Sequence, residues 1–114
     1  MKNTVYRNAT LFPATDETAI EAGALHVQDE IILYAGAEDG LGELPSGTEI
    51  VDVAGAFLMP GMTETHAHLS FADASPFAIG ATPVETATIT AVRNAELMLT
   101  AGFTSAISFG STYR

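Results

Sequence analysis

Short runs of β-forming residues, broken by turn formers, fill the front of the chain: Thr4–Phe12, Ala24–Gln28, Ile31–Ala35 and Glu49–Val53. The breaks hold Pro13, Gly23, Asp29-Glu30, Gly36, Asp39-Gly40, Gly42 and Pro45-Ser46-Gly47. Runs spaced roughly ten residues apart predict an antiparallel sheet or half-sandwich. Near residue 56 the pattern changes to strand, loop, helix, strand. The first of these strands is the apolar stretch from Ala56 to Met59, which meets Pro60-Gly61. Thr82-Pro83-Val84-Glu85 predicts a helix start, with Thr82 as the cap, Pro83 in the first helical position and Glu85 completing a capping box. Val84, Ala87, Ala91, Ala95 and Met98 then recur at three- and four-residue steps, which predicts a helix from Pro83 to about Ala101. Gly102 is placed to close it as a left-handed cap. Phe103–Phe109 reads as a buried strand, pairing in parallel with the first through a right-handed crossover. The expected division is a small antiparallel β-domain over 1–55 and a strand-helix-strand unit over 56–114, an α/β arrangement.

A lone strand-helix-strand unit cannot bury both faces of its strands, and a (β/α)8 barrel needs roughly 250 residues. With 114 residues, the chain is expected to be a fragment, or to have its remaining surfaces covered by another chain. The 47% apolar content and mean hydropathy of +0.25 exclude a disordered chain. Net charge is −10, with no Lys or Arg between Arg7 and Arg93 and ten of the fourteen acids from Asp16 to Asp52. That balance argues against a nucleic-acid partner and describes a solvated acidic surface; no EF-hand-type calcium loop occurs. No apolar run is long enough for a bilayer. The first residues lack a signal-peptide core, so the expected compartment is cytoplasmic. The lack of cysteine removes disulfides and thiolate ligands.

Chemistry concentrates in Met59–Leu69, where His66 and His68 stand at i and i+2. On a strand both imidazoles point the same way, with Thr65 and Ala67 on the other face. Two neutral imidazoles side by side are half of a transition-metal site, and a catalytic zinc typically takes three protein ligands plus an open position. Glu64 shares the face of His66 and is expected behind it, away from the open strand end. Asp73 is the only acid at the range where a cupin-type β-barrel would need a Glu. A cupin-like metal protein and a non-catalytic β-rich binding or scaffold module are the alternative readings. His26, alone in the first half, reads as structural. Loop 70–81 follows the histidines and borders their site, with Phe71 and Phe77 lining a pocket or packing. No G-x-S-x-G elbow and no phosphate-binding loop occur. Substrate-binding residues cannot be read from the chain.

Three ordered motifs resemble the metal-dependent amidohydrolase superfamily, in its imidazolonepropionase and dipeptidase branch. Ile50–Gly61 looks like that family's approach to its first barrel strand. Thr63-Glu64-Thr65-His66-Ala67-His68-Leu69 looks like its metal motif, and Ala101-Gly102-Phe103-Thr104-Ser105 like the opening of its second strand. The resemblance implies a small β-sandwich domain and the N-terminal part of a metal-dependent (β/α)8 barrel hydrolase. It also implies one or two divalent ions, zinc foremost, with His66 and His68 as ligands. Substrates would be small molecules with an amide, cyclic amide or dipeptide bond, cleaved by metal-activated water. Glu64 replaces the family's usual Asp, and Ser108 stands where many members carry an acid on strand two. The later ligands and the catalytic base have no counterpart here and are expected downstream of Arg114. Lys2, the only lysine, is far from the motif. The intact enzyme is therefore expected to need the rest of the barrel or a homo-oligomer.

Overall fold

The computed structural model describes residues 1–15 and 18–111, which form two compact units, Met1–Pro60 and Gly61–Arg114. In the first, β1 (Asn3–Leu11), β2 (Ile20–Gln28), β3 (Ile31–Ala37), β4 (Glu49–Asp52) and β5 (Phe57–Leu58) make one five-stranded sheet. β1 pairs antiparallel with β2, and β2 with β3, as the turn-separated runs predict. β4 and β5, however, both lie parallel to β1, so the sheet is mixed rather than wholly antiparallel. The expected strand from Ala56 to Met59 shortens to Phe57–Leu58 and joins this first sheet, beside Thr10 and Leu11.

β1 is the spine of this unit. Val5, Ala9 and Leu11 are buried, and with Ala24 of β2 they form its apolar centre. The pairing of β1 with β2 slips between Tyr6 and Ala9. There Asn8 takes a left-handed conformation, φ 56°, which Asn tolerates better than most residues. The slip frees Asn8 to meet the β4–β5 turn: its side-chain amide donates to Asp52 (2.9 Å), and its carbonyl accepts from the Gly55 amide (2.7 Å). Asp52 also accepts from the Ala54 amide (2.8 Å). These donations, the backbone one foremost, hold the Asp52 carboxyl below its ordinary range. His26 is buried with Nε2 3.0 Å from Asn3 Oδ1, a structural role as expected. Arg7 pairs with Glu38, and Lys2 with Glu49 at 3.1 Å.

The second unit runs β6 (Met62–Ala67), α1 (Pro76–Ile79), α2 (Val84–Thr100) and β7 (Phe103–Ser108). β6 and β7 pair in parallel. The covered face of α2 is Ala87, Thr90, Ala91, Asn94, Ala95 and Met98, close to the predicted stripe, while Val84 is exposed. Gly102, at φ +92°, ends the helix, and its amide donates to Leu99. Its start differs from expectation. Pro83, not Thr82, is the capping residue and brings no side-chain acceptor; its carbonyl accepts from Ala87. The Thr82 hydroxyl instead donates to Ala78 at the end of α1, a turn that Ser75 caps. β7 is not a buried strand either: Ile107 is 50% exposed, and Phe109 beyond it 67%. One helix against two strands covers too little of them. No helix among the described residues is long and apolar enough to cross a membrane.

Val5 is fully buried, so Val5→Ala is expected to lower the stability of the first unit by about 2 kcal/mol. Ile31→Ala, at a position 63% exposed on the edge strand, is expected to change it by under about 0.5 kcal/mol; urea denaturation followed on this unit compares the two. A second expectation concerns acid. A carboxyl whose folded pKa is depressed stabilises the fold above its ordinary value, 3.8 for Asp52, and that contribution disappears as the pH falls below it. Asp52→Asn is expected to flatten the acid side of the stability profile, and an unchanged slope below pH ~4 would count against the Asp52 turn.

Candidate metal centre

The unit begins at Gly61, where an added Cβ would run into the Thr104 side chain. This bare position lets the start of β6 lie tight against the start of β7, and the Met62 amide then donates to the Gly102 carbonyl (2.9 Å). Pairing continues through Thr63 with Ser105, whose hydroxyls are 2.6 Å apart, and Glu64 with Ala106. The register then slips, and Ala67 pairs with Ser108. The slip falls at Thr65-His66, where the Glu64 carboxylate turns back and accepts from the His66 amide (2.9 Å). Glu64, two residues before His66 on β6, borders the same hollow as both histidines.

His66 and His68 converge as the i, i+2 spacing predicts, with Nε2 atoms 3.2 Å apart. His68 Nδ1 is 3.0 Å from the Gly110 carbonyl. A carbonyl oxygen only accepts, so Nδ1 of His68 is the donor to it, and in the neutral ring the lone pair then lies on Nε2. That lone pair accepts from Nε2–H of His66 in the protein alone, and it is the same lone pair that a divalent ion takes. Donation from the far ring nitrogen to a carbonyl is the usual support of a metal-binding histidine. The 3.2 Å separation is one that two nitrogens bound to a single ion at about 2.0–2.1 Å also adopt. The pair therefore fits a metal. Among the described residues no group of three or more His, Asp or Glu is gathered closely enough to complete the site.

Aromatic rings flank both imidazoles. Phe71 stacks flat on His68, centroids 4.5 Å apart and planes 5° from parallel, and Phe109 lies 5.0 Å from His66. Phe77, the other ring of the loop, is 95% exposed and takes no part; Asp73 is exposed as well. A hollow of about 370 Å³ opens beside the pair, lined by Glu64, His66, His68, Asn94, Leu97 and Met98 among others. The Gly110 carbonyl that seats His68 also accepts from the Ser108 hydroxyl (3.0 Å), which gives the unexpected serine of strand two a role beside the site. Sequence reasoning misses Asn94 and Gly110. A side-chain amide in mid-helix, among stronger helix formers, is the one signal that points to Asn94.

Over 73 residues the chain is 40% identical to the imidazolonepropionase of Mesorhizobium japonicum, a match covering 60% of this chain and 18% of that protein. It is 35% identical over 69 residues to the 5-methylthioadenosine/S-adenosylhomocysteine deaminase of Symbiobacterium thermophilum, covering 60% and 16%. A crystal structure of a prolidase complexed with N-methylphosphonate-L-proline superposes with a TM-score of 0.83 at 25% identity, over 96% of this chain and 26% of that one. The chain is similar to the N-terminal part of amidohydrolase-superfamily proteins. No protein-family model matches it. The fold is that of the N-terminal quarter of the solved amidohydrolase chains, and the chain spans less than a fifth of the length of these curated amidohydrolase relatives. Enzymes of the amidohydrolase superfamily are generally metal-dependent.

Proposed function

We propose that His66 and His68 are two of the metal ligands of a hydrolase that cleaves carbon–nitrogen bonds in small molecules: an amide, a cyclic amide or a dipeptide. The observation that carries this reading is the Nε2 pair at 3.2 Å with the opposite nitrogen of His68 seated on a carbonyl. Zinc is the occupant we favour, as one ion or two, because imidazole suits it and the chain offers no thiolate. An ion held there by His66 and His68 would supply Lewis-acid polarisation of a carbonyl and a lowered pKa for its bound water. The chain's own groups orient the pair: Gly110 fixes the tautomer of His68, Glu64 holds the backbone of His66, Phe71 covers one face of the His68 ring, and Phe109 lies beside His66. The relatives named above, an imidazolonepropionase, a deaminase and a prolidase, support a carbon–nitrogen bond as the target.

The remaining ligands and the general base are proposed to come from polypeptide outside these 114 residues, within the rest of a (β/α)8 barrel or a second copy. Among the described residues, the Glu64 carboxylate is committed to the His66 amide and Lys2 is paired with Glu49. The cupin-like alternative falls away, since α2 and the parallel β6–β7 pair have no place in an all-β barrel.

Zinc titration of the chain, followed by ring ¹⁵N NMR, is expected to perturb both His66 and His68. The His66→Ala/His68→Ala variant should lose this response while keeping the fold, at a cost of about 1 kcal/mol for the lost His68 hydrogen bond. A zinc response that survives the double substitution would refute the assignment. Against an amide and dipeptide panel with zinc, the 114-residue chain should show no turnover above a His66→Ala control; clear turnover would mean that the base lies within it.

A further inference from the structure

We propose that Asn94 is a positioning residue for His68, acting through the turn that follows the histidine; the inference rests on the metal reading above. Asn94 sits on the covered side of α2, and both hydrogens of its side-chain amide are used. Nδ2 donates to the Leu69 carbonyl (2.8 Å) and to the Phe71 carbonyl (3.1 Å). Both partners are acceptors only, so the amide has one orientation that satisfies them. Those two carbonyls belong to a turn that the Phe71 amide closes by donating to the His68 carbonyl (3.0 Å). Asn94 therefore ties down the backbone on which His68 and Phe71 are carried.

The consequence reaches the imidazole through Phe71. Its ring lies flat on His68 at 4.5 Å, which confines the imidazole to one plane, and within that plane the Gly110 carbonyl and His66 set which edge faces each of them. The residue type supports a role beyond helix formation. Asn is a weaker helix former than its neighbours Ala95, Leu97 and Met98, and a mid-helix residue that breaks the local preference calls for a compensating task. A helix thus disciplines a loop 23 to 25 residues earlier in the chain, and through it one of the two imidazoles.

Asn94→Asp tests this, because it keeps the shape, removes both donors and turns a carboxylate toward two carbonyls. The readouts are the His68 ring tautomer by ¹⁵N NMR, the zinc dissociation constant, and the urea midpoint. Asn94→Asp is expected to move His68 from the Nδ1–H form to a mixture, leave the His66 backbone signals near wild type, and weaken zinc about 10- to 100-fold. A lowered midpoint with an unchanged His68 tautomer and zinc affinity makes Asn94 merely structural and overturns the proposal. If the wild-type chain takes up no zinc at these histidines, the metal reading fails on its own, and the tautomer alone decides the role of Asn94. Should Asn94→Asp fail to fold, Phe71→Leu carries the test: it removes the stacked ring and keeps the carbonyl bonds. Retention of the wild-type His68 tautomer in that variant also overturns the proposal.

Discussion

The hydrogen bonds between β6 and β7 hold Ala67 level with Ser108. Because the strands run in parallel, their carboxyl ends coincide, and the residues just beyond each end meet. That places the imidazole of His68 against the carbonyl of Gly110. An antiparallel pair would have set the histidines beside Gly102 and Phe103, at the opposite end of β7 from Gly110. Parallel pairing in turn requires the chain to travel back to the start of β6, which α2 and its left-handed Gly102 accomplish. It also requires the two strand starts to approach closely, which the missing side chain at Gly61 permits. Two glycines and a helix of 17 residues thus stand upstream of the metal-site geometry.

Much of this was legible in the residue pattern, where local rules carry the information. The i, i+2 histidines fall on one side because strand alternation puts them there, even though β6 ends at Ala67. The stripe on α2 was readable because helical periodicity repeats over many turns, and Gly102 because little else tolerates its φ. The misreadings occur where two local rules competed or where distance in sequence mattered. Thr82 is a good cap by type, yet its hydroxyl had a rival acceptor in Ala78, made available by the short turn that Ser75 starts. β5 has two residues, too few for any alternation to be visible. Its parallel alignment with β1 follows from the left-handed turn at Ala54-Gly55 and from the grip of Asn8, partners far apart in the chain. Asn94 and Gly110 act on His68 across comparable gaps, and no spacing rule encodes that.

The two units are held by different means. In the first, a central strand with neighbours on both sides buries Val5, Ala9 and Leu11, and side-chain hydrogen bonds secure its turns. Its acidic side chains largely remain in water, a partial exception being Glu38 against Arg7. In the second unit the apolar side chains are abundant but open: Ile89, Val92, Leu97 and Leu99 on α2 are all more than 60% exposed. Hydrogen bonding is dense around the histidines, so polar contacts rather than packing shape the site.

Among the described apolar residues of the second unit, only Ala67 and Ala87 are buried, and this scarcity has a thermodynamic reach beyond stability. An ion pays for any time the two imidazoles spend apart, because apparent affinity is the intrinsic affinity scaled by the fraction of molecules in the competent arrangement. If that arrangement were present in one molecule in ten, the ion would bind about tenfold more weakly than the bare geometry warrants. Covering the open faces of α2 and β7 would raise that fraction without adding a single ligand. Whatever packs on this unit would act as a positive effector of the histidine pair, and the ion, by reciprocity, would tighten that packing by the same factor.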